Sequence, residues 1–129
     1  MVSFTSLQAA TIILGHATLT KVLISFSLRT PQFLQINNKA VEENPFYQEF
    51  LKAQKNESEY AALLTGVLLY LASTGNDATQ AATVAVIGQV GYVWVRTAVG
   101  YPKLLTITFA LVRYGALALC VVELYKAAF

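Results

Sequence analysis

Charged side chains are distributed very unevenly along this chain, and the long uncharged segments limit what it can fold into. Of the sixteen Asp, Glu, Lys and Arg residues, segment 39–59 holds eight, whereas segment 61–95 holds one, Asp77. In addition, 56% of the residues are hydrophobic, and the mean hydropathy is +0.53. An ordinary soluble domain of this length is much less apolar. The sequence therefore predicts an integral membrane protein.

Four segments are predicted to be membrane spans: about 7–28, 47–73, 78–99 and 104–125. A helix needs about 20 residues to cross the hydrocarbon core. Helices are expected because a lipid-exposed open strand leaves backbone donors and acceptors unpaired, and the even alternation of a membrane barrel is absent. We predict an all-α fold, an integral membrane four-helix bundle that forms a single domain over residues 1–129.

Local turn signals separate the predicted spans. The tripeptide 29–31, Arg-Thr-Pro, is expected to end the first helix, and segment 74–77, Thr-Gly-Asn-Asp, supplies a turn after the second. Segment 100–103 contains a proline, which restricts the preceding residue and stops the third helix. The second helix is expected to begin in a polar run and to continue without a break into the apolar residues 61–72.

Most lysines and arginines fall on one side of the predicted spans. The side with the first and third connections holds Arg29, Lys39, Lys52, Lys55, Arg96 and Lys103, whereas the other side has Lys126 alone. The positive-inside rule puts the long connection 29–59 in the cytosol or its equivalent, with both termini opposite. The predicted location is the endoplasmic reticulum or another organelle membrane. No basic patch is interleaved with aromatic residues, so no nucleic-acid partner is predicted.

The common sequence patterns of soluble enzymes are absent. Cys120 is the only cysteine, so neither an intrachain disulfide nor a cysteine-rich metal site can form, and we interpret it as a small buried group of the fourth helix. The chain has no Gly-rich phosphate loop before a helix, no paired histidines and no serine elbow. No metal site is predicted.

Polar residues inside the predicted spans are expected to face other helices. Arg113 lies near the middle of the fourth span, where a charge costs roughly 2.5 to 3.5 kcal/mol. Thr106 and Cys120 share its helical face, so this arginine is predicted to look into the bundle or an oligomer axis. An interhelical partner is the favoured interpretation, and a direct ligand role is the alternative.

Two further patterns in the spans indicate helix packing. His16, Thr20 and Lys21 form a polar patch on the first helix, which we interpret as a bundle contact. The alternative for Lys21 is that its long stem extends the charge toward a membrane interface. The third span has small residues at spacings of three and four, namely Ala78, Ala81, Ala85 and Gly88. Such a seam lets a neighbouring helix approach closely, either within one chain or between subunits.

The polar start of the second helix offers a candidate binding surface. Positions 52, 56 and 59 follow an i, i+4, i+7 pattern, so one helical face combines a cation, an amide, a carboxylate and a phenol, from Lys52, Asn56, Glu59 and Tyr60. The end of the third span adds Arg96 and Tyr101 on the same membrane side. Such a surface suits a small ligand with carboxylates and amide bonds, and the alternative is a solvated, self-paired helix face.

Segment 50–60, Phe-Leu-Lys-Ala-Gln-Lys-Asn-Glu-Ser-Glu-Tyr, resembles a family signature. The membrane-associated proteins in eicosanoid and glutathione metabolism (MAPEG) have a second-helix pattern that reads approximately Arg-Ala-Gln-x-Asn-x-x-Glu-Tyr. Segment 96–101, Arg-Thr-Ala-Val-Gly-Tyr, is similar to their third-helix ending, Arg-Tyr-x-x-Gly-Tyr. The four-span layout of about 130 residues matches over nearly the whole chain.

The resemblance implies a left-handed four-helix bundle that assembles as a homotrimer in membrane lipid. Glutathione, the co-substrate, would lie between neighbouring subunits near the cytosolic surface. The positions that match the family pattern and would bind it are Lys52, Gln54, Asn56, Glu59, Tyr60, Arg96 and Tyr101. The activity implied is that of a glutathione transferase or peroxidase, in which the glutathione thiolate attacks a lipophilic electrophile or a lipid hydroperoxide.

The chain departs from the family pattern where the thiol would be activated. Lys52 stands where active members usually have arginine, and Thr97 replaces a usual tyrosine. The family arginine that opens the fourth helix is missing, which leaves Lys103, or Arg29 at the end of the first helix, as the candidate catalytic cation. A cation near sulfur matters because a thiol with a pKa near ~8.5 is only a few per cent thiolate at neutral pH.

A noncatalytic role is the alternative that these departures favour. The chain would then be a MAPEG-like lipid-binding helper, or an accessory structural subunit that binds other membrane subunits in a larger respiratory or photosynthetic complex.

Overall fold

The computed structural model describes residues 2–98 and 103–129, and this part of the chain is helical with no β-strand. Five helices follow one another along the chain: α1 (Ser6–Phe33), α2 (Lys39–Glu42), α3 (Pro45–Ser73), α4 (Thr79–Thr97) and α5 (Lys103–Ala128). The predicted all-α class is therefore confirmed. Helix α2 is a single short turn, and the four long helices lie where the four spans were predicted.

Local side chains fix where the long helices begin. The Thr5 hydroxyl accepts a hydrogen bond from the Gln8 amide, and the Gln8 side chain accepts one from the Thr5 amide, which caps the start of α1. At α3 the Asn44 side chain accepts from the Phe46 amide, and Pro45 occupies the first helical position. As predicted, α3 runs from its polar start into its apolar half without a break.

Helix α1 continues past Pro31, contrary to the predicted stop at 29–31, and ends at Phe33. Its residues Ser25–Arg29 form a π-helical turn. Because proline has no amide proton, the Ser27 carbonyl loses its usual partner in the helix. The Asn38 side chain replaces that partner and donates to the Ser27 oxygen over 2.6 Å. The helix therefore tolerates the proline through a contact from the following connection.

The turn between α3 and α4 has the predicted chemistry. Gly75 adopts a positive φ of 76°, which glycine reaches without steric cost. The Asn76 side chain accepts a hydrogen bond from the Ala78 amide, and the Ser6 hydroxyl donates to the Asp77 carbonyl over 2.6 Å. The turn is thereby tied to the start of α1. The predicted break at 100–103 falls mostly on residues 100–102, which lie outside the described residues.

The small-residue seam of α4 lies inside the packed helices. Ala81, Ala85 and Gly88 are buried, and the first two pack with Ala116 and Cys120 of α5. A Cβ atom built on Gly88 would lie 2.8 Å from the backbone of Arg113, closer than real contacts. The seam therefore brings α4 and α5 into close contact within one chain. The interpretation of Cys120 as a buried group is confirmed.

Among the residues that the structure describes, two helices are long and apolar enough to cross a membrane, α1 and α5. Both expose large apolar side chains on their outer surfaces, including Leu14, Leu19 and Phe26 of α1, and Leu104, Leu111 and Val121 of α5. The opposite sides of these helices pack against α3 and α4. This arrangement leaves the polar first half of α3 beside the end of α1.

Candidate functional site

The polar face predicted for the second helix forms one wall of a depression of about 280 Å³. Lys52, Lys55, Asn56 and Glu59 of α3 line it together with Arg96 of α4. The helical phase of α3 explains why the side chains at positions 52, 56 and 59 project into the same space. The structure thus brings together four of the seven predicted ligand residues, and their binding role stays a prediction.

A second depression, of about 490 Å³, adjoins the first and lies between α3 and α1. Lys52, Lys55 and Glu59 line both. The second depression adds Arg29 and Lys21 from α1, so four cations surround it against one carboxylate. Clustered like charges raise the local concentration of a counter-ion, so this surface is suited to an anion.

An apolar groove of about 190 Å³ continues from this cationic depression along α1 and α3. Lys21 and Ser58 line both the depression and the groove. The other groove residues are Leu14, Ala17, Thr18, Ala61 and Ala62. A molecule with an anionic end and an apolar end would find both environments within one continuous surface.

The two cations at the ends of the first depression share one carboxylate. Lys52 Nζ lies 2.7 Å from Glu49 Oε1, and Arg96 Nε lies 3.7 Å from Glu49 Oε2. Arg96 also donates from Nη1 to the Tyr92 hydroxyl over 2.6 Å. All of the charged groups are partly or largely exposed, so their attraction is weakened by solvent and salt.

Gln54 is held within its own helix. Its side-chain nitrogen donates to the Ser58 hydroxyl over 2.7 Å, and that hydroxyl donates to the Gln54 carbonyl over 3.0 Å. Its side chain still lines the larger depression, although the residue is 5% exposed. Gln54 therefore stiffens the wall of the larger depression and presents little surface of its own.

The two candidate catalytic cations occupy different places. Arg29 is exposed and lines the larger depression. Lys103 is exposed at the first position of α5 and lines neither of the two polar depressions. Tyr101, the remaining ligand residue of the prediction, lies outside the described residues. The geometry therefore places Arg29, rather than Lys103, beside the polar face of α3.

Arg113 is enclosed by aromatic rings behind the polar face. It is 1% exposed, and its guanidinium carbon lies 3.8 Å from the ring centre of Tyr60, 4.0 Å from that of Tyr92 and 5.6 Å from that of Tyr114. Its Nη1 donates to Asn56 Oδ1 over 2.8 Å, and its buried Nε has no hydrogen-bond partner among the residues that the structure describes. The predicted interhelical contact of Arg113 is confirmed.

A buried polar network on the other side of α3 was not identified from sequence. Glu57 is fully buried, with its Oε1 2.5 Å from His16 Nδ1 and its Oε2 2.6 Å from the Thr20 hydroxyl. Gln89 donates to the Glu57 carbonyl over 3.0 Å, and Trp94 Nε1 donates to His16 Nε2 over 2.8 Å. The predicted helix contact of His16 and Thr20 is confirmed, with Glu57 at its centre. For Lys21, the third residue of that patch, the prediction is wrong, because its side chain is exposed and lines the larger depression.

The hydrogen bonds of His16 define which ring nitrogen donates. Because Trp94 donates to Nε2, the proton of the imidazole lies on Nδ1 and points to the Glu57 carboxylate. The network joins α1, α3 and α4 through partners that are mostly buried. A sequence signal was present, since a histidine and a threonine one helical turn apart in an apolar span require a buried polar partner.

Comparison of the chain with protein-family models, with curated proteins and with solved structures finds no match. The resemblance to the MAPEG family therefore rests on segments 50–60 and 96–101 and on the order of the spans.

Proposed function

We propose that this chain is a multi-pass membrane protein that binds glutathione along the polar face of α3. It acts as a glutathione transferase or peroxidase on lipophilic electrophiles or lipid hydroperoxides. The observation that carries this proposal is the convergence of cations, an amide and a carboxylate in two adjoining depressions, the larger of which continues into an apolar groove.

The exposed apolar surface supports a membrane setting. Only 17% of the apolar stretch of α5 and 28% of that of α1 are buried within the chain, whereas a core helix of a soluble protein is mostly buried. In the proposed arrangement α3 and α4 complete a four-span bundle. Inside the bundle, the Glu57 side chain of α3 accepts from Thr20, Gln89 of α4 donates to the Glu57 carbonyl, and Tyr60 and Tyr92 stack on the buried Arg113 of α5. Lipid or neighbouring subunits of a homotrimer would cover the outer faces.

The chemical groups of glutathione match those of the polar face. The tripeptide has two carboxylates, one ammonium group, two peptide bonds and a thiol. Lys52, Lys55 and Arg96 offer cations for the carboxylates, and the exposed carboxylate of Glu59 is suited to the ammonium group. The Asn56 amide lies between them and can bond a peptide group or a carboxylate.

In the proposed transferase reaction, Arg29 stabilises the glutathione thiolate and the thiol proton passes to water. The thiolate sulfur forms a bond to the electrophilic carbon, and the bond from that carbon to the leaving group breaks. In the peroxidase reaction two glutathione molecules reduce the hydroperoxide to an alcohol and water and become glutathione disulfide. The groove lined by Leu14, Ala17, Ala61 and Ala62 would hold the lipophilic substrate beside the sulfur.

Turnover in detergent tests the proposal. Purified protein is mixed with glutathione and chlorodinitrobenzene, and the rate of conjugation is followed together with the ultraviolet absorbance of the thiolate. We expect Arg29→Gln to lower the rate by about tenfold or more, because an opposite charge is worth about 1.4 kcal/mol or more to the thiolate. Lys103→Gln is measured beside it as the second candidate.

Lys126→Gln is the matched control. Lys126 is an exposed lysine near the end of α5, where it pairs with Glu123, and it lines neither polar depression. Its replacement should leave the rate unchanged. An unaltered protein that neither forms the thiolate nor conjugates the electrophile contradicts the proposed enzyme.

A noncatalytic role is the second candidate, and one observation favours it. Several groups of the polar face are already paired within the chain, Lys52 with Glu49 and Asn56 with Arg113. A self-paired surface needs no ligand, and the chain would then be an accessory subunit of a larger membrane assembly. Purification in mild detergent separates the two candidates, because an accessory subunit keeps other membrane chains at fixed stoichiometry, whereas the enzyme purifies as a homotrimer.

A further inference from the structure

The contact between Asn56 and Arg113 determines how the Asn56 amide is turned. Arginine can only donate hydrogen bonds, so the atom of Asn56 that lies 2.8 Å from Arg113 Nη1 must be the amide oxygen. The amide nitrogen then points to the opposite side of the group. Asn56 also lines the smaller depression with Lys52, Glu59 and Arg96. The amide therefore presents its NH₂ group, a donor, to whatever occupies that depression.

The guanidinium of Arg113, which determines the orientation of the Asn56 amide, is held in place by its neighbours. Its carbon lies 3.8 Å and 4.0 Å from the ring centres of Tyr60 and Tyr92, distances at which a desolvated cation is attracted to an aromatic face. Behind it, the backbone of Arg113 packs against Gly88 with no room for a Cβ atom. The position of Arg113 is thus fixed by three helices.

The same arginine supports two more of the predicted ligand residues. Tyr60 is one of them and stacks directly on the guanidinium. Arg96 is the other, and its Nη1 donates over 2.6 Å to the hydroxyl of Tyr92, the second ring of the cage. Asn56, Tyr60 and Arg96 therefore all depend on Arg113, directly or through Tyr92.

The charge of Arg113 is not neutralised by a nearby carboxylate. Within the described residues, the ion pairs closer than 4.0 Å involve His16, Lys52, Arg96 and Lys126. Its guanidinium lies against the rings of Tyr60 and Tyr92 and donates to the Asn56 amide oxygen. A buried cation in a low-dielectric setting acts over a longer range than a solvated one, so Arg113 favours an anion in the depression beside Asn56.

We propose that Arg113 is a positioning residue of the ligand site, which holds Asn56 as a hydrogen-bond donor. The ligand group that meets Asn56 is then an acceptor, a carboxylate or a peptide carbonyl oxygen of the bound peptide. This inference rests on the proposed glutathione site, and it names the part of the ligand that Asn56 recognises. Arg113 itself acts through Asn56 and does not touch the ligand.

The variant Asn56→Asp separates positioning from a purely structural role. A carboxylate at position 56 forms an ion pair with the buried Arg113, so the melting temperature in detergent should rise. The same change removes the NH₂ donor and places a negative charge beside an anionic ligand. We expect the affinity for glutathione, measured by titration calorimetry, to fall by about tenfold or more. Asn37→Asp, an exposed change of the same kind in the connection after α1, should leave both quantities unchanged.

A double-mutant cycle tests whether Arg113 acts through Asn56. Arg113→Gln should weaken glutathione binding more in the unaltered background than in Asn56→Ala, because in Asn56→Ala the donor that it positions is already gone and only its support of Tyr60 and Arg96 and its charge remain to be lost. Arg113→Lys keeps the charge but loses the planar guanidinium group. Its affinity for glutathione should therefore lie between that of the unaltered protein and that of Arg113→Gln. Equal losses of affinity in both backgrounds overturn the positioning role. If Arg113→Gln does not fold, the Asn56→Asp comparison decides by itself.

The outcomes distinguish this inference from the proposed function. An unaltered protein that binds no glutathione overturns both. An unaltered protein that binds glutathione, together with an Asn56→Asp variant that binds it equally well, overturns the positioning role of Arg113 alone.

Discussion

His16 Nδ1 lies 2.5 Å from Glu57 Oε1, a contact between α1 and α3 in which the carboxylate is fully buried. The second oxygen of Glu57 bonds Thr20, and the other nitrogen of His16 accepts from Trp94. Polar groups inside a helix bundle are costly unless they are paired, so this network holds the first, third and fourth helices in one relative position.

Removal of His16 should destabilise the fold strongly. His16→Ala leaves the Glu57 carboxylate with Thr20 as its only side-chain partner, and we expect a loss of about 3 kcal/mol in the free energy of unfolding. Thermal unfolding in detergent, followed by circular dichroism, measures it. Glu43→Gln changes an exposed carboxylate and serves as the control. If His16→Ala and Glu43→Gln have the same melting temperature, the network does not stabilise the fold.

Because α4 and α5 lie so close together, replacing glycine by alanine should have opposite effects on stability at two positions, Gly88 and Gly66. Gly88→Ala would place a Cβ atom 2.8 Å from the Arg113 backbone, so the free energy of unfolding should fall by about 1–3 kcal/mol. Gly66→Ala meets nothing within 4 Å in the middle of α3, so helix propensity should make it more stable by about 0.5–1 kcal/mol. Denaturation of both variants in the same detergent measures the difference, and equal stabilities would refute the close contact.

The continuation of α1 past Pro31 depends on the hydrogen bond from the Asn38 side chain to the Ser27 carbonyl. Asn38→Ala leaves the Ser27 carbonyl without its donor and should cost about 1–3 kcal/mol of stability. The double variant Pro31→Ala/Asn38→Ala should recover much of that loss, because an alanine at position 31 restores the backbone amide that bonds Ser27 within the helix. Thermal melts of the single and double variants provide the comparison. No recovery in the double variant contradicts this account of the helix end.

The proposed four-span topology predicts which loops react with a reagent that cannot cross the membrane. In a Cys120→Ser background, Asn37→Cys in the first connection and Asp77→Cys in the second are exposed. We expect a maleimide added to sealed vesicles to label one of the two, and to label both after the vesicles are opened. Labelling of both positions in sealed vesicles would mean that the two connections lie on the same side.

The helices were predictable because charge segregation and capping residues are local signals. The polar start of α3 and its continuation past Tyr60 follow from residues within a few turns of one another. The end of α1 was not predictable by the same means. Pro31 is a local stop signal, and the Asn38 side chain that overrides it lies seven positions further along the chain and reaches back to Ser27.

The candidate site was predictable where helical phase alone decides which side chains meet. The spacing of Lys52, Asn56 and Glu59 placed them in one depression, and their positions in the membrane pattern put Arg96 on the same side. The burial of Glu57 was missed because it is determined by His16, a residue on another helix. Neighbours in the sequence thus face different environments, with Asn56 toward Arg113 and Glu57 toward α1.

Titration calorimetry of glutathione into the detergent-purified protein tests the central claim most directly. The measurement compares the unaltered protein with Glu59→Gln, which removes the exposed carboxylate of both depressions, and with Glu43→Gln, an exposed carboxylate in the connection before α3. We predict saturable binding by the unaltered protein and by Glu43→Gln, and an affinity about tenfold lower for Glu59→Gln. The absence of binding by the unaltered protein, or equal affinities for all three, would contradict the proposed site.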